Sequence, residues 1–335
     1  MTLESFIGNQ RRVQQLREAI LTSHLSHAYL FTGAHHIGKR TLARALASAV
    51  QCTARTANGD SCGICTACRK ILHGNHPDVT VLELPKDKQS YSIEQIRTLI
   101  DGIAFRPTEG SKRIYIIPNA DAMTIQAQQA SLKILEEPPA TGMIILTTTS
   151  DELVLPTMIS RCQEISLTPV ESDTIVAALQ KRFGDLTAEQ ALELAILSGG
   201  RPGWALTMHD NQDIVEKRRT TLQSLHSLLH TGRAERMNEA ATFAEDREKA
   251  RESIEIWLSW WHDVLVSGYG APNLIQFQEG RSEIIRYAQK WGAHTAHAVI
   301  KAMIKALEEL DQNGNPRMVF EVMLQAVPIE KRSET

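Results

Sequence analysis

The run Gly33-Ala34-His35-His36-Ile37-Gly38-Lys39 matches the phosphate-binding loop G-x-x-x-x-G-K. Glycines let such a loop turn its backbone N–H groups inward, and the helix that follows adds positive potential at its N-terminus. The lysine supplies a point charge for phosphate. The match is incomplete. The next residue should be Ser or Thr, whose hydroxyl holds Mg²⁺. Here it is Arg40, which has no lone pair to offer a metal. Thr41 stands one position late, and one step along a helix turns a side chain by about 100°. Read alone, these residues also allow an ordinary glycine turn between a strand and a helix.

Cysteine usage points to a second kind of chemistry. The chain has five cysteines, and Cys52, Cys62, Cys65 and Cys68 fall close together. C-x₂-C-x₂-C with an earlier Cys offers four thiolates, enough for a closed tetrahedral Zn²⁺ site. A closed site keeps no position open for substrate, so the metal would be structural. The intervening TARTANGDS cannot form a core, and a metal clip would fix it. Four incidental buried thiols and an iron–sulfur cluster are the alternatives; nothing else in the chain suggests electron transfer. Within 52–68 the only basic residue is Arg55, whereas a zinc-dependent DNA reader should cluster several.

The elements that must position these groups are legible as patterns. Ala28–Phe31 is a short apolar run suited to a buried parallel strand, and Thr41–Val50 reads as a helix. Residues 1–25 read as a helix carrying Ile7, Val13, Leu16 and Ile20. Asp78–Leu84, Arg113–Ile117, Met143–Thr148 and Glu164–Leu167 read as further strands, with helices over Ser92–Ile103 and Thr124–Glu137 between them. Pro138-Pro139 ends the second of these helices. Alternating strands and helices predict an α/β fold with a parallel sheet covered on both faces.

After Pro169 the pattern is helical throughout: Glu171–Phe183, Ala188–Ser198, Gly203–His209, Asp213–Leu229 and Asn238–Glu245. Ile254, Trp257, Leu258, Trp261 and Leu265 fall on one helix face, and core packing explains that stripe. Asn315-Pro316 reads as an N-cap with proline at the first helical position, followed by a face of Val319, Val322, Met323 and Ala326.

A length of 335 residues predicts two or three domains. Hydrophobic content of 42% with 22% charged residues is ordinary for a soluble globular protein, and a net charge of −3 does not announce nucleic-acid binding. MTLESFIGNQRRV carries no apolar signal core, and no stretch approaches about 18 apolar residues. The expectation is a cytoplasmic protein with no membrane contact.

Taken together, S-H-A-Y-L-F-T-G…G-K-R-T-L-A, the four-cysteine insert, S-L-K-I-L-E-E-P-P and I-S-R-C-Q resemble the bacterial DNA polymerase III clamp-loader subunits of the AAA+ class. The resemblance is strong over 5–167 and loose over 168–330. It implies a RecA-like AAA+ parallel-sheet domain with the zinc-binding insert (1–167, insert 52–68). A small helical lid (168–208) and a C-terminal helical collar for oligomerisation (209–335) would follow. ATP or ADP would sit at Gly33, Gly38, Lys39 and Thr41 if the degenerate loop binds nucleotide at all.

The family's motors, gamma/tau, carry Asp-Glu after the third hydrophobic run; the Asp helps hold Mg²⁺ and the Glu orients the attacking water. Here Ile114–Ile117 is followed by Pro118-Asn119-Ala120-Asp121. Pro118 has no carboxylate, Asn119 cannot act as a base near pH 7, and Asp121 lies beyond the pair. The motors' lid arginine aligns with Gly203, and Arg201 is an offset substitute. Coincident loss at Arg40, Pro118-Asn119 and Gly203 resembles the delta-prime branch, which does not hydrolyse ATP.

Ser160-Arg161-Cys162 is intact. By resemblance, Arg161 reaches the ATP of the neighbouring subunit, where a planar guanidinium can stabilise charge on the transferring phosphoryl group. Read alone, Arg161 is an ordinary surface ion-pair partner. Cys162 reads as packing. Thr148 and Thr149 end a strand where the family places a phosphate-sensing polar residue, or simply cap it. The implied partners are the delta and gamma/tau subunits, and through the assembled loader the sliding clamp and primed DNA. The competing expectation is an active gamma/tau-like ATPase.

Overall fold

The computed structural model describes residues 2–84, 90–149, 151–272, 275 and 280–330. Helix α1, Gln10–Leu21, buries Val13, Leu16 and Ile20. It starts later than the sequence pattern suggests, because Gly8 and Asn9 both have positive φ, 74° and 50°. That left-handed step cannot belong to a right-handed helix. Strand β1, Ala28–Thr32, is buried along its length. Helix α2, Lys39–Gln51, follows the glycine loop. Helix α3, Thr66–Leu72, lies inside the cysteine insert and has no counterpart in the sequence reading.

Strand β2 is only Val79–Val81; residues 85–89, just past the strand expected over 78–84, lie outside the described residues. Helix α4, Ile93–Ile103, is closed at its start by a Ser92–Gln95 capping box. Strand β3, Arg113–Ile117, agrees with the sequence reading. A single 3₁₀ turn over Ala120–Ala122 leads to helix α5, Ile125–Glu136, capped by Thr124. Strand β4, Gly142–Thr148, is buried throughout. A four-residue helix α6, Pro156–Ile159, precedes strand β5, Gln163–Ser166, which begins one residue earlier than expected.

The five strands are parallel, in the order β2-β3-β4-β1-β5. Alternate residues face opposite layers. Tyr29, Phe31, Ile114, Ile116, Met143 and Ile145 pack with α1 and α2. Leu30, Tyr115, Ile117, Ile144 and Leu146 pack with α4, α5 and α6. Burial on both faces is why MIILTT reads as a continuous apolar run rather than an alternating one. Each fully buried large aliphatic here contributes roughly 1.5–3 kcal/mol. This is the RecA-like AAA+ arrangement that the sequence led us to expect. It places the ends of β1, β3 and β4 side by side above the glycine loop.

The remaining helices are α7 (Ser172–Arg182), α8 (Ala188–Leu197), α9 (Pro202–Asp210), α10 (Gln212–His230), α11 (Arg233–Phe243), α12 (Arg247–Gly268), α13 (Arg281–Asp311) and α14 (Pro316–Leu324). Helix α13 is broken at Gly292, whose φ is 72°. Helix α11 starts and stops earlier than the expected 238–245, because Asp246 caps α12 and the chain must leave one helix to cap the next.

The tryptophan stripe of α12 is core, as expected: Trp257 and Trp261 are buried, with Trp260. Tyr287 and Trp291 stack with centroids 4.6 Å apart, and Phe243 stacks on Phe320 at 5.6 Å. The buried face of α14 is Val319, Phe320, Met323 and Leu324. Val322, expected on that face, is exposed, and Ala326 lies beyond the helix end.

The chain forms two compact units, one of residues 1–186 with 200–204 and one of 187–199 with 205–335. Part of the expected collar, 273–274, 276–279 and 331–335, lies outside the described residues. No described helix is long and apolar enough to cross a membrane.

Candidate functional site

The cysteine insert brings its four thiols together. Cys52 ends α2, Cys65 precedes α3 and Cys68 lies on it. The four Sγ atoms lie within 4.8 Å of one another. Backbone N–H groups of Cys62 and Cys65 donate to the sulfurs of Cys52 and Cys62, each at 3.3 Å. Burial pushes the Cys68 thiol up to about 12. At Cys65 burial acts in the same direction, but N–H groups of Cys68 and Thr53 outweigh it and bring the thiol down to about 5. Four soft donors converging this closely fit a tetrahedral Zn²⁺, which would hold all four as thiolates. Asp60, nearly fully buried, ties the insert to the start of the chain. It accepts N–H groups of Leu3 (2.9 Å) and Glu4 (2.6 Å) and pairs with Arg17 at 3.2 Å. No sequence motif marks Asp60.

Of the residues expected to cradle phosphate, Gly33, Gly38 and Lys39 lie in one loop, and Thr41 is exposed on α2. Gly33 and Gly38 have φ of 137° and 108°, and a Cβ on Gly33 would stand 2.6 Å from the Leu167 carbonyl oxygen. Lys39 does not point outward. Its Nζ donates to the carbonyls of Gly33 (2.5 Å) and Ala34 (2.8 Å). Burial lowers its pKa to about 8, with Asp121 acting the other way.

The His36 ring lies against Trp204 at a tilt of 35°, with centroids 4.2 Å apart. The Gly203 N–H donates to the His36 carbonyl at 2.9 Å, and a Cβ on Gly203 would lie 2.5 Å from that oxygen. An arginine at 203, the position the resemblance assigns to the motors' lid arginine, would therefore collide with the His36 backbone. Arg201, the offset substitute, is buried, and Arg40 pairs with Glu83.

The expected acidic position holds no carboxylate. Asn119 is left-handed, φ 53°, and its N–H donates to Thr147 Oγ1 at 3.2 Å. Asp121 is not remote, however. The 3₁₀ turn swings it over the end of β4, where its Oδ2 accepts the Thr149 N–H (3.3 Å) and hydroxyl (2.6 Å). Its Oδ1 is buried with no hydrogen-bond partner among the described residues. With Arg40 for a hydroxyl and Pro118 for a carboxylate, these residues lack the groups by which the family's motors hold magnesium on a nucleotide.

Arg161 sits just past α6. Buried Gln128 on α5 fixes the approach to that helix, donating to the Leu153 carbonyl at 3.0 Å and accepting the Leu155 N–H at 2.7 Å. The guanidinium of Arg161 donates through Nη1 to the Thr157 carbonyl at 2.7 Å and pairs through Nη2 with Glu136 at 2.6 Å. A third of its side chain, 34%, is exposed. The next residue, Cys162, packs beside the α4–α5 core, and burial pushes its thiol up to about 12.

Comparison with known proteins draws these features together. The family model for the DNA polymerase III delta subunit matches residues 8–171, and a second model, for the C-terminal part of that delta protein, matches 212–327. The chain is 29% identical over 319 residues to DNA polymerase III subunit delta-prime of Bacillus subtilis, covering 93% of each. It is 33% identical over 204 residues to subunit delta-prime of Pseudomonas aeruginosa, covering 61% of this chain and 62% of the relative. It is also 27% identical to subunit tau of B. subtilis, covering 95% of this chain but only 60% of that longer protein.

Among solved structures, a DNA polymerase III gamma-subunit-related protein of Thermotoga maritima aligns at a TM-score of 0.41 and 16% identity, covering 93% of this chain and 97% of its own. The RuvB Holliday junction branch migration motor of the same organism aligns at 0.44 and 14%, covering 66% and 65%. The two family models span most of the sequence, and delta-prime proteins of two bacteria match it. The chain belongs to the delta-prime family of DNA polymerase III clamp-loader subunits.

Proposed function

We propose that this chain is a subunit of the clamp loader that hydrolyses no ATP itself and lends Arg161 to the ATP site of an adjoining gamma/tau subunit. The observation that carries this reading is the coincident absence, beside the glycine loop, of a magnesium-binding hydroxyl at Arg40 and of the carboxylate pair at Pro118-Asn119. Partial exposure of Arg161 at the end of α6 supports its half of the reading.

The partners are the delta and gamma/tau subunits, joined through the helical collar of residues 209–335, with a lid over 168–208. Acting through that assembly, the chain helps place the sliding clamp on primed DNA. Any contact this chain makes with DNA is to phosphates, and salt weakens it. The cysteine site binds one structural Zn²⁺.

The test is a reconstituted loader carrying Arg161→Ala. Assembly remains intact, and ATP turnover at the neighbouring site falls by on the order of 10³, the lower end of what a trans arginine supplies. An unchanged rate rejects the role. Similarity to subunit tau over 95% of the chain favours a second reading, an active motor. Turnover by the isolated protein that disappears in Lys39→Ala would establish that reading in place of the first.

A further inference from the structure

Glu136 occupies a position that its own helix disfavours. It is the last residue of α5, and a carboxylate at a helix C-terminus meets the negative end of the macrodipole. Pro138-Pro139 follow one residue later, so the helix cannot continue and move that end away. Lys133 in the last turn of α5 offers local compensation. The partner at ion-pair distance is Arg161, whose Nη2 lies 2.6 Å from Glu136 Oε1.

The same guanidinium donates from its other terminal nitrogen to the Thr157 carbonyl at 2.7 Å and to Ser160 Oγ at 3.4 Å. Contacts at both Nη atoms fix the plane of the group, not merely its charge. They engage three of the five N–H groups a guanidinium carries and leave two for an external anion. An arginine oriented beforehand loses less freedom when it meets a transferring phosphoryl group.

We propose that Glu136 is a positioning residue for Arg161: its carboxylate, with the Thr157 carbonyl, fixes the guanidinium in the orientation that serves the neighbouring subunit's nucleotide. This rests on the trans-arginine reading given above. It adds a role for the first residue of the Glu-Glu-Pro-Pro run, which otherwise only marks a helix end. Were Glu136 instead a competitor that sequesters Arg161, removing its charge would speed turnover, so the two roles differ in sign.

The experiment compares wild type, Arg161→Ala, Glu136→Gln, Glu136→Asp and the double variant Glu136→Gln/Arg161→Ala in the fully reconstituted loader. ATP turnover is measured against ATP concentration with clamp and primed DNA present. Size-exclusion chromatography and thermal unfolding check assembly and folding. For Glu136→Gln we expect kcat to fall about three- to tenfold with KM unchanged within about twofold, the pattern of lost orientation rather than lost binding. Glu136→Asp keeps the charge on a shorter arm and should lie about two- to fourfold below wild type.

The double variant should be no slower than Arg161→Ala alone, because the carboxylate acts only through the arginine. If Arg161→Ala leaves turnover unchanged, the trans-arginine reading itself fails. If Arg161→Ala is slow but Glu136→Gln is as fast as wild type or faster, only the positioning role is overturned. Additive losses in the double variant would overturn it equally. Should Glu136→Gln fail to assemble, Glu136→Asp decides, and a wild-type rate there rejects the proposal.

Discussion

A lysine closing a phosphate loop ordinarily presents its charge to an anion, whereas Lys39 is almost wholly buried against carbonyls of its own loop. Burial lowers its pKa from 10.5 to about 8. Between those values the unfolded chain keeps a proton that the folded chain has released. Stability therefore gains with rising pH across that window, and the penalty for burying the charge is felt in full below about 8. Lys39→Met should remove this contribution. In urea unfolding from pH 7.5 to 10.5, the stability of wild type relative to the variant should climb with pH. A constant difference would mean that Lys39 titrates normally.

At the scale of elements, the cysteine insert is the segment most dependent on something other than a core. Helix α3 buries only Cys68 and Ile71, too little apolar surface to hold seven residues in place. The Asp60 anchor, and a metal held by the four cysteines, would supply the remainder. Metal analysis should find one zinc per chain, and a strong chelator should release it. Amide exchange should then rise across residues 53–72, while β1, β3 and β4 stay protected. Protection of α3 unchanged by chelation would count against a structural metal.

Much of this architecture is written locally. β3 and β4 are legible because burial on both faces makes RIYII and MIILTT unbroken apolar runs, and α4 is legible from Ile93, Ile96, Leu99 and Ile100 at helical spacing. Helix α3 is not, because TACRKIL has no apolar period, and α6 is too short to have one. The four cysteines are readable from spacing alone. Contacts between segments are not: Asp60 with Leu3, Asp121 with Thr149 and Glu136 with Arg161 each join residues that only the folded sheet brings together. Val322 departs from the expected face of α14 because the buried stripe runs through Val319, Phe320, Met323 and Leu324, and Val322 lies on the other side of Val319.

For the whole molecule, two compact units must each be stable enough to serve in an assembly. The second unit carries an internal tie. Buried Arg236 donates to the carbonyls of Leu228, Val327 and Pro328, each at 2.7 Å, clasping the end of the described chain to α10 and α11. Arg236→Ala leaves those carbonyls short of donors and should destabilise this unit by about 2–4 kcal/mol. Circular dichroism should show its helices melting earlier. On the proposed reading, subunit association in gel filtration should weaken as well. A melting curve identical to wild type would show that the clasp contributes little.

The contact of Gly203 with the His36 carbonyl has an evolutionary consequence. Restoring Thr at position 40, Asp at 118 and Glu at 119 would return familiar letters to three places, but an arginine at 203 would collide with a backbone atom already 2.5 Å from where its Cβ must go. The ring of Trp204 over His36 secures the same spot. On the proposed reading, regaining that arginine would first require the loop to give up its contacts with residues 203 and 204. The contact then works as a ratchet: reverting positions 40, 118 and 119 alone would not retrace the path.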